Sequence, residues 1–184
     1  MRAFLGIELS DEIKECYRRF ESEGRLRYRE LRWVRPENIH LTVRFLGESD
    51  DLQVVKVRQE VEAVTSTVVR FRMRLGAPGI FGSGRAPRTL WLGVDDGEDE
   101  LSALAGGVEA AVRRAGFSPE RQPWTPHLTL ARNPKGSTAK GWQEALVASG
   151  LVGLSSVVEG VTLFESLLLL KGPVYTKVWT ASLV

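Results

Sequence analysis

The sequence predicts a protein of mixed α and β structure, built as two lobes around a shared core. Two observations carry that expectation. Strand-like and helix-like segments alternate through both halves of the 184 residues, the pattern of α/β or α+β folds. The tripeptide His-Leu-Thr occurs twice, in "IHLTVRF" at 39–45 and "PHLTLAR" at 126–132, and these copies hold both histidines of the chain. His40 and His127 lie 87 residues apart, close to half the chain length, as an internal duplication would leave them. A pseudo-two-fold would then set the two motif strands facing each other. No linker or low-complexity stretch separates the halves, so residues 1–184 are expected to fold as a single bilobal domain.

The elements follow in chain order. "AFLGIEL" is a short apolar run that reads as a buried strand. Ser10 caps the helix that follows, with Asp11 and Glu12 in its favourable first turn. That helix is expected to reach about Ser22, burying Ile13, Tyr17 and Phe20. "LRWV" is a strand stopped before Arg35-Pro36, and "NIHLTVRFLG" is a longer one ended by Gly47. Apolar positions at Leu52, Val55, Val61 and Val64 mark a helix over 50–66. "VRFRMRLG" alternates arginine with apolar residues, as a half-buried strand does. "APGIFGSGRAPR" reads as a twelve-residue Gly/Pro loop, long enough to suggest a function beside the cleft for Arg85 and Arg88, against the plainer reading of a hairpin connection. "TLWLGV" is a strand, 98–115 a helix ended by Gly116, and "HLTLAR" a strand stopped by Asn133-Pro134. A helix near 138–148 precedes "SVVEGVTLFESLLLL", kinked at Gly160, and "YTKVWTASL". The "SLLLL" run at 166–170 reads as a buried strand.

Composition excludes several classes of function. With 43% hydrophobic and 26% charged residues the chain is ordinary for a globular protein. No apolar run approaches the ~20 residues that span a bilayer, and "MRAFLGIELSDE" lacks the pattern of a signal peptide. Cys16 is the only cysteine, which fits a cytoplasmic protein without disulfides. The net charge of +2 does not announce a nucleic-acid binder, but seven arginines crowd between Arg18 and Arg35. Arginine suits forked contact with phosphate; a solvated helix-and-loop face is the competing reading.

On a strand, residues i and i+2 share a face. His40 therefore projects with Thr42, and His127 with Thr129, while Leu41, Val43, Leu128 and Leu130 point to the core. Facing each other, the motifs line a cleft with two imidazoles and two hydroxyls. One neutral and one protonated imidazole can act as general base and general acid, and the hydroxyls can donate to an anion between them. In-line displacement at phosphorus needs groups of this kind and no metal or cofactor. Two imidazoles fall short of a zinc site, and a nucleophile elbow and a P-loop are both lacking. By alternation Arg44 shares the face of His40 and Thr42, whereas Arg132 has the wrong parity and its place stays open. Trp33, Phe81 and Trp124 are candidate platforms for a nucleobase.

With these residues in view, the chain resembles the 2H phosphoesterase superfamily, and within it the RNA 2′,3′-cyclic phosphodiesterases first named 2′-5′ RNA ligases. The resemblance runs through "RAFLGIEL", "RWVRPENIHLTVRFLGE", "RTLWLGV", "TPHLTLAR" and "VTLFESLL". It implies an α+β, bilobal fold with two antiparallel sheets related by a pseudo-two-fold around a central cleft, helices outside. It implies metal-independent opening of a 2′,3′-cyclic phosphate at an RNA 3′ end to a 2′-phosphate, with 2′-5′ ligation as the reverse reaction. The matching site residues are His40 and His127 for catalysis, with Thr42, Thr129 and Arg132 on the phosphate. The expected partners are RNA ends, among them tRNA fragments, with no cofactor, no membrane and a monomeric state. In the expected mechanism His127 is the base and His40 the acid, though near symmetry permits the reverse. Phosphodiesterases of small cyclic nucleotides or 2′-5′ oligonucleotides, and a non-catalytic RNA-end binder, are the alternatives.

Overall fold

The computed structural model describes residues 1–170 and 172–184. Its strands are β1 (Arg2–Ile7), β2 (Arg32–Trp33), β3 (Leu41–Glu48), β4 (Phe71–Ser83), β5 (Ala86–Asp96), β6 (Leu128–Arg132), β7 (Ser155–Val158), β8 (Gly160–Leu169) and β9 (Gly172–Ser182). The helices are α1 (Asp11–Arg27), α2 (Asp51–Thr65), α3 (Glu98–Arg114) and α4 (Trp142–Ala148). The two expected antiparallel sheets are present as β3-β1-β8-β9 and β6-β5-β4-β7. Their inner edges meet at one residue pair, Leu41↔Leu128, so the sheet is continuous through the middle of the molecule. Reading outward from this joint, the halves match strand for strand, and each contains a strand–helix–strand unit: β1-α1-β3 in one, β5-α3-β6 in the other.

The helices lie behind the sheet, and α1 and α3 each reach across to the other half. From α1, the Cys16 thiol donates to Ser149 O at 3.4 Å, and the Tyr17 hydroxyl lies 2.9 Å from Leu130 O and 2.7 Å from Val34 O. The backbone N–H of Ser10, the α1 cap, donates to Ser156 Oγ on β7. On α3, Glu109 receives Arg44 of β3. Tyr17 is fully buried, so its phenol pKa is pushed well above the ordinary value, chiefly by desolvation. Its hydroxyl stays neutral and pins the β2–β6 junction, where Val34 N–H also donates to Leu130 O.

Several expectations need correction. Helix α1 runs past Ser22 to Arg27, because Gly24 is a close-approach site rather than a stop: a Cβ there would sit 2.5 Å from the Trp33 ring. The supposed twelve-residue loop is a hairpin, with β4 running through Ser83 and β5 starting at Ala86. Pro78 is tolerated because β7 pairs β4 only over Phe71–Arg74, leaving the outer edge free at Pro78. Gly79 makes room for Trp91, whose ring would lie 2.1 Å from a Cβ at that position. The "SVVEGVTLFESLLLL" segment is two strands, divided at Glu159; β7 pairs β4 of one half and β8 pairs β1 of the other. Its "SLLLL" end is not buried. Strand β1 pairs β8 only over Thr162–Glu165, so Leu167–Leu170 project with the hairpin tip and are exposed.

Candidate active site

His40 and His127 occupy the residues just before β3 and β6. Leu41 and Leu128, fully buried, form the antiparallel joint between the halves. One residue to either side of that pair, the strands set Thr42 beside His127 and His40 beside Thr129. The sequence expectation of two facing motifs is met, with the histidine of each strand beside the threonine of the other.

Both rings are held in one tautomer by backbone carbonyls. His40 Nδ1 lies 2.6 Å from Asn38 O and His127 Nδ1 lies 2.8 Å from Thr125 O. A carbonyl only accepts, so each Nδ1 carries the proton and each Nε2 keeps the lone pair. The Thr42 hydroxyl then donates to His40 Nε2 at 2.9 Å. Burial is the main cause that lowers the His40 pKa, to about 4; the Asn38 carbonyl opposes it and the charge of His127 adds to it. The His127 pKa is also lowered, by burial first, against the Thr125 carbonyl and with the nearby Arg132. At neutral pH the free protein therefore presents two neutral imidazoles.

Aromatic rings seat both histidines. His40 stacks on Phe4 at 4.7 Å, with Phe164 at 5.8 Å and the edge of Tyr175 at 5.4 Å. His127 packs edge-on to Phe81 at 4.9 Å and lies 5.9 Å from Trp91. Gly6 is part of the seat, since a Cβ there would meet His40 Cδ2 and Leu41 O at 3.1 Å. Asn38, whose carbonyl orients His40, donates its side-chain N–H to Pro173 O at 2.8 Å, tying β9 to the histidine strand. Tyr175 feels the charges of Arg132 and Arg2, although burial dominates and raises its pKa.

Paired irregularities in the two motif strands decide the arginines. In β3, Gly6 pairs with Thr42 and Leu5 with Arg44, skipping Val43. In β6, Trp91 pairs with Thr129 and Leu90 with Ala131, skipping Leu130. These are β-bulges at corresponding positions, three residues after each histidine, and each shifts the alternation by one. Arg132 consequently returns to the face of Thr129, and its charge reaches His127. Arg44 is turned to the helix face, against the expectation from simple alternation; it pairs with Glu109 at 2.6 Å and Glu120 at 3.1 Å. The counterpart of Arg132 in the first motif is Phe45, 59% exposed.

Of the suggested base platforms, Phe81 lies beside His127. The Trp124 indole N–H donates to Thr42 O at 2.9 Å, which places it next to the site. Trp33 does not belong there: it is buried behind the sheet against Phe20 and Gly24. Sequence reasoning missed Phe4, Gly6, Asn38, Trp91, Phe164 and Tyr175. Phe164 and Tyr175 come from strands more than a hundred residues from His40, with no local signal. Asn38 and Gly6 were visible as types suited to close polar contact and tight packing, but nothing in the sequence set them against a histidine.

Comparison with known proteins agrees with this geometry. Residues 10–166 match the family model of the 2′-5′ RNA ligase superfamily. The chain belongs to that superfamily. It is 31% identical over 180 residues to the RNA 2′,3′-cyclic phosphodiesterase of Aquifex aeolicus, covering 97% of this chain and 95% of that protein. It is 34% identical over 146 residues to the enzyme of the same name from Aeropyrum pernix, covering 79% and 82%. The fold is similar to the crystal structure of TT0787 of Thermus thermophilus, with a TM-score of 0.81, 28% identity and coverage of 100% and 98%. The superfamily match spans both His-Leu-Thr motifs.

Proposed function

We infer that the protein is an RNA 2′,3′-cyclic phosphodiesterase, as its superfamily relatives are named, opening the cyclic phosphate at an RNA 3′ end to a 2′-phosphate. The observation that carries the reading is the pair of imidazoles, each with Nδ1 fixed on a carbonyl and Nε2 left as the acceptor, on strands that meet at Leu41 and Leu128. Water attacks phosphorus in line with the 3′ oxygen. One Nε2 takes the proton of the water as the P–O bond forms. The other, protonated, gives its proton to the 3′ oxygen as its bond to phosphorus breaks. Thr42, Thr129 and Arg132 hold the non-bridging oxygens, where charge grows in the transition state. With a 5′-hydroxyl in place of water, the same steps join two RNA ends through a 2′-5′ linkage, the 5′ oxygen giving its proton to one Nε2 as the 3′ oxygen takes one from the other.

The division of roles expected from the sequence, His127 as base and His40 as acid, puts a condition on binding. Burial holds the His40 pKa at about 4 in the free protein, so His40 must gain its proton as the phosphate enters. The anion favours the charged ring, and the two rings then titrate as a pair rather than singly. We place the protein in the cytoplasm, in keeping with its lone, buried, free Cys16, acting on RNA fragments such as those of tRNA.

The test is hydrolysis of a short RNA ending in a 2′,3′-cyclic phosphate, in excess EDTA, with the product identified. His40→Ala and His127→Ala should each lose at least ~10²-fold, the scale of one general acid or base. A 3′-phosphate product, full activity in either variant, or loss of activity in EDTA would each overturn part of the mechanism: the leaving oxygen, the two-histidine chemistry, or its independence of metal.

A further inference from the structure

The row of side chains that crosses the second half at Arg132 carries more positive charge than the proposed chemistry uses. By register Phe81 pairs with Thr89, Thr89 with Arg132, and Arg132 with Arg32 of β2. Cross-strand partners project to the same face. The next pair along, Trp33 and Ala131, is buried on the opposite face, and the charge of Arg132 reaches His127 and Tyr175. Arg32 and Arg132 are therefore neighbours on the cleft face, and both are exposed.

Several other arginines of the molecule are compensated, among them Arg44 by Glu109 and Glu120, Arg74 by Asp95, and Arg25 by Glu21. Neither Arg32 nor Arg132 has an ion-pair partner among the described residues. Glu30, the carboxylate nearest to Arg32 in sequence, is occupied by the Ser137 hydroxyl at 2.6 Å. Like charges directly opposite on a sheet destabilise it, and here the fold adds rigidity without neutralisation. Val34 N–H and the Tyr17 hydroxyl fasten the short strand to β6, and the Trp33 ring packs onto Gly24 behind it. A forked cation held rigidly, beside a second one and without a counter-charge, is suited to an anion supplied from outside.

We propose that Arg32 binds the phosphodiester on the 5′ side of the terminal nucleoside, so that the preferred substrate is an RNA end of two or more nucleotides rather than a mononucleotide. Arg32 lies one strand spacing, ~4.8 Å, from Arg132, which holds the reacting phosphate, on the edge of β6 that faces the first half. The chain of the RNA then runs from Arg132 toward Arg32, across the edge of β6 that also carries β3. The assignment rests on the cyclic phosphodiesterase reading and adds the direction in which the substrate leaves the site.

The experiment compares the wild type, Arg32→Ala and Arg32→Lys on two substrates, a mononucleoside 2′,3′-cyclic phosphate and a tetraribonucleotide with the same end. For the tetranucleotide, Arg32→Ala should raise KM about tenfold or more, ~1.4 kcal/mol, with kcat unchanged. Its mononucleotide KM should stay within about twofold. The salt dependence of oligonucleotide affinity should lose roughly 0.7 from its log–log slope, one phosphate's share for a single strand. Arg32→Lys should keep that slope and recover part of the affinity. Equal effects on both substrates would assign Arg32 to the reacting phosphate and overturn the proposal, as would no effect on either. A fall in thermal stability in Arg32→Ala would also overturn it, since removing one of two like charges should leave stability unchanged or higher. If the wild type hydrolyses neither substrate, the phosphodiesterase reading fails. Binding of a fluorescein-labelled tetraribonucleotide with a 2′-phosphate end still decides the subsite, because equal affinity in wild type and Arg32→Ala would exclude it.

Discussion

His40 shows how much of the site's behaviour is set by one side chain's surroundings. It is stacked on Phe4, edged by Tyr175 and seated over Gly6, and burial lowers its pKa from 6.5 to about 4. The unfolded chain therefore takes up the proton first as pH falls. The stability tied to neutral His40 is complete above pH 6.5 and is lost as pH drops from 6.5 through about 4. The full interval corresponds to an upper limit of about 3 kcal/mol, and His127, also lowered, acts in the same direction. Urea unfolding at pH 7 and pH 4.5 should show a clear acid destabilisation that shrinks in His40→Gln. An identical pH difference in both proteins would show that the burial of His40 does not govern it. Catalysis gives an independent reading of the same residue. If phosphate returns the proton to His40, the pKa values in kcat, which report the bound state, should lie above those in kcat/KM, which report the free protein.

At the scale of elements, the motif strands were largely legible and their bulges were not. Alternation put His40 on the face of Thr42 and His127 on the face of Thr129, and the register agrees, because the period of two holds up to the threonine in each strand. It failed one residue later, where Val43 and Leu130 bulge. Both are β-branched or aliphatic residues of the kind that fill regular strands, so composition carried no warning. The resemblance of the chain to its family, rather than the pattern, had placed Arg132 in the site. A hairpin connection was among the readings of this stretch, but the length of the β4 and β5 strands was missed for a related reason: their Gly and Pro residues read as a loop, whereas Gly79 yields space to Trp91 and Pro78 sits on a free edge. The bulges make a paired prediction. Arg132→Ala should lower kcat by about 10²–10³-fold, the magnitude for removing one donor from a developing oxyanion, with little change in stability. Arg44→Met should leave kcat within about twofold but cost roughly 1 kcal/mol of stability, since it strips Glu109 of its partner at 2.6 Å. The reverse pattern, with Arg44 essential and Arg132 dispensable, would falsify the placement of the two bulges.

At the scale of the molecule, the two halves are matched in strand order yet cannot be separated along the chain. The first half takes β1 and β3 from the N-terminal region and β8 and β9 from the last 25 residues. Helix α1, which follows β1, bonds to Leu130, Ser149 and the β7 strand of the second half, while α3 of the second half receives Arg44 of the first. The direct joint in the sheet is a single residue pair, so the exchanged helices and the crossing at Glu159 carry much of the coupling. The two motifs pointed to matched halves, but not to this interleaving, because nothing local tells a strand which distant edge it will join. Each half supplies one histidine, and the site exists only when both are in register. We therefore expect the chain to unfold in one cooperative step, as small domains commonly do. Tryptophan fluorescence, which samples Trp33, Trp91, Trp124 and Trp142 as well as Trp179 on β9, should share one midpoint with far-ultraviolet circular dichroism and with loss of cyclic phosphodiesterase activity along a urea series. Separate midpoints, or a fragment ending before β4 that folds alone, would mean that the halves are independent domains and that the interleaving does not bind them.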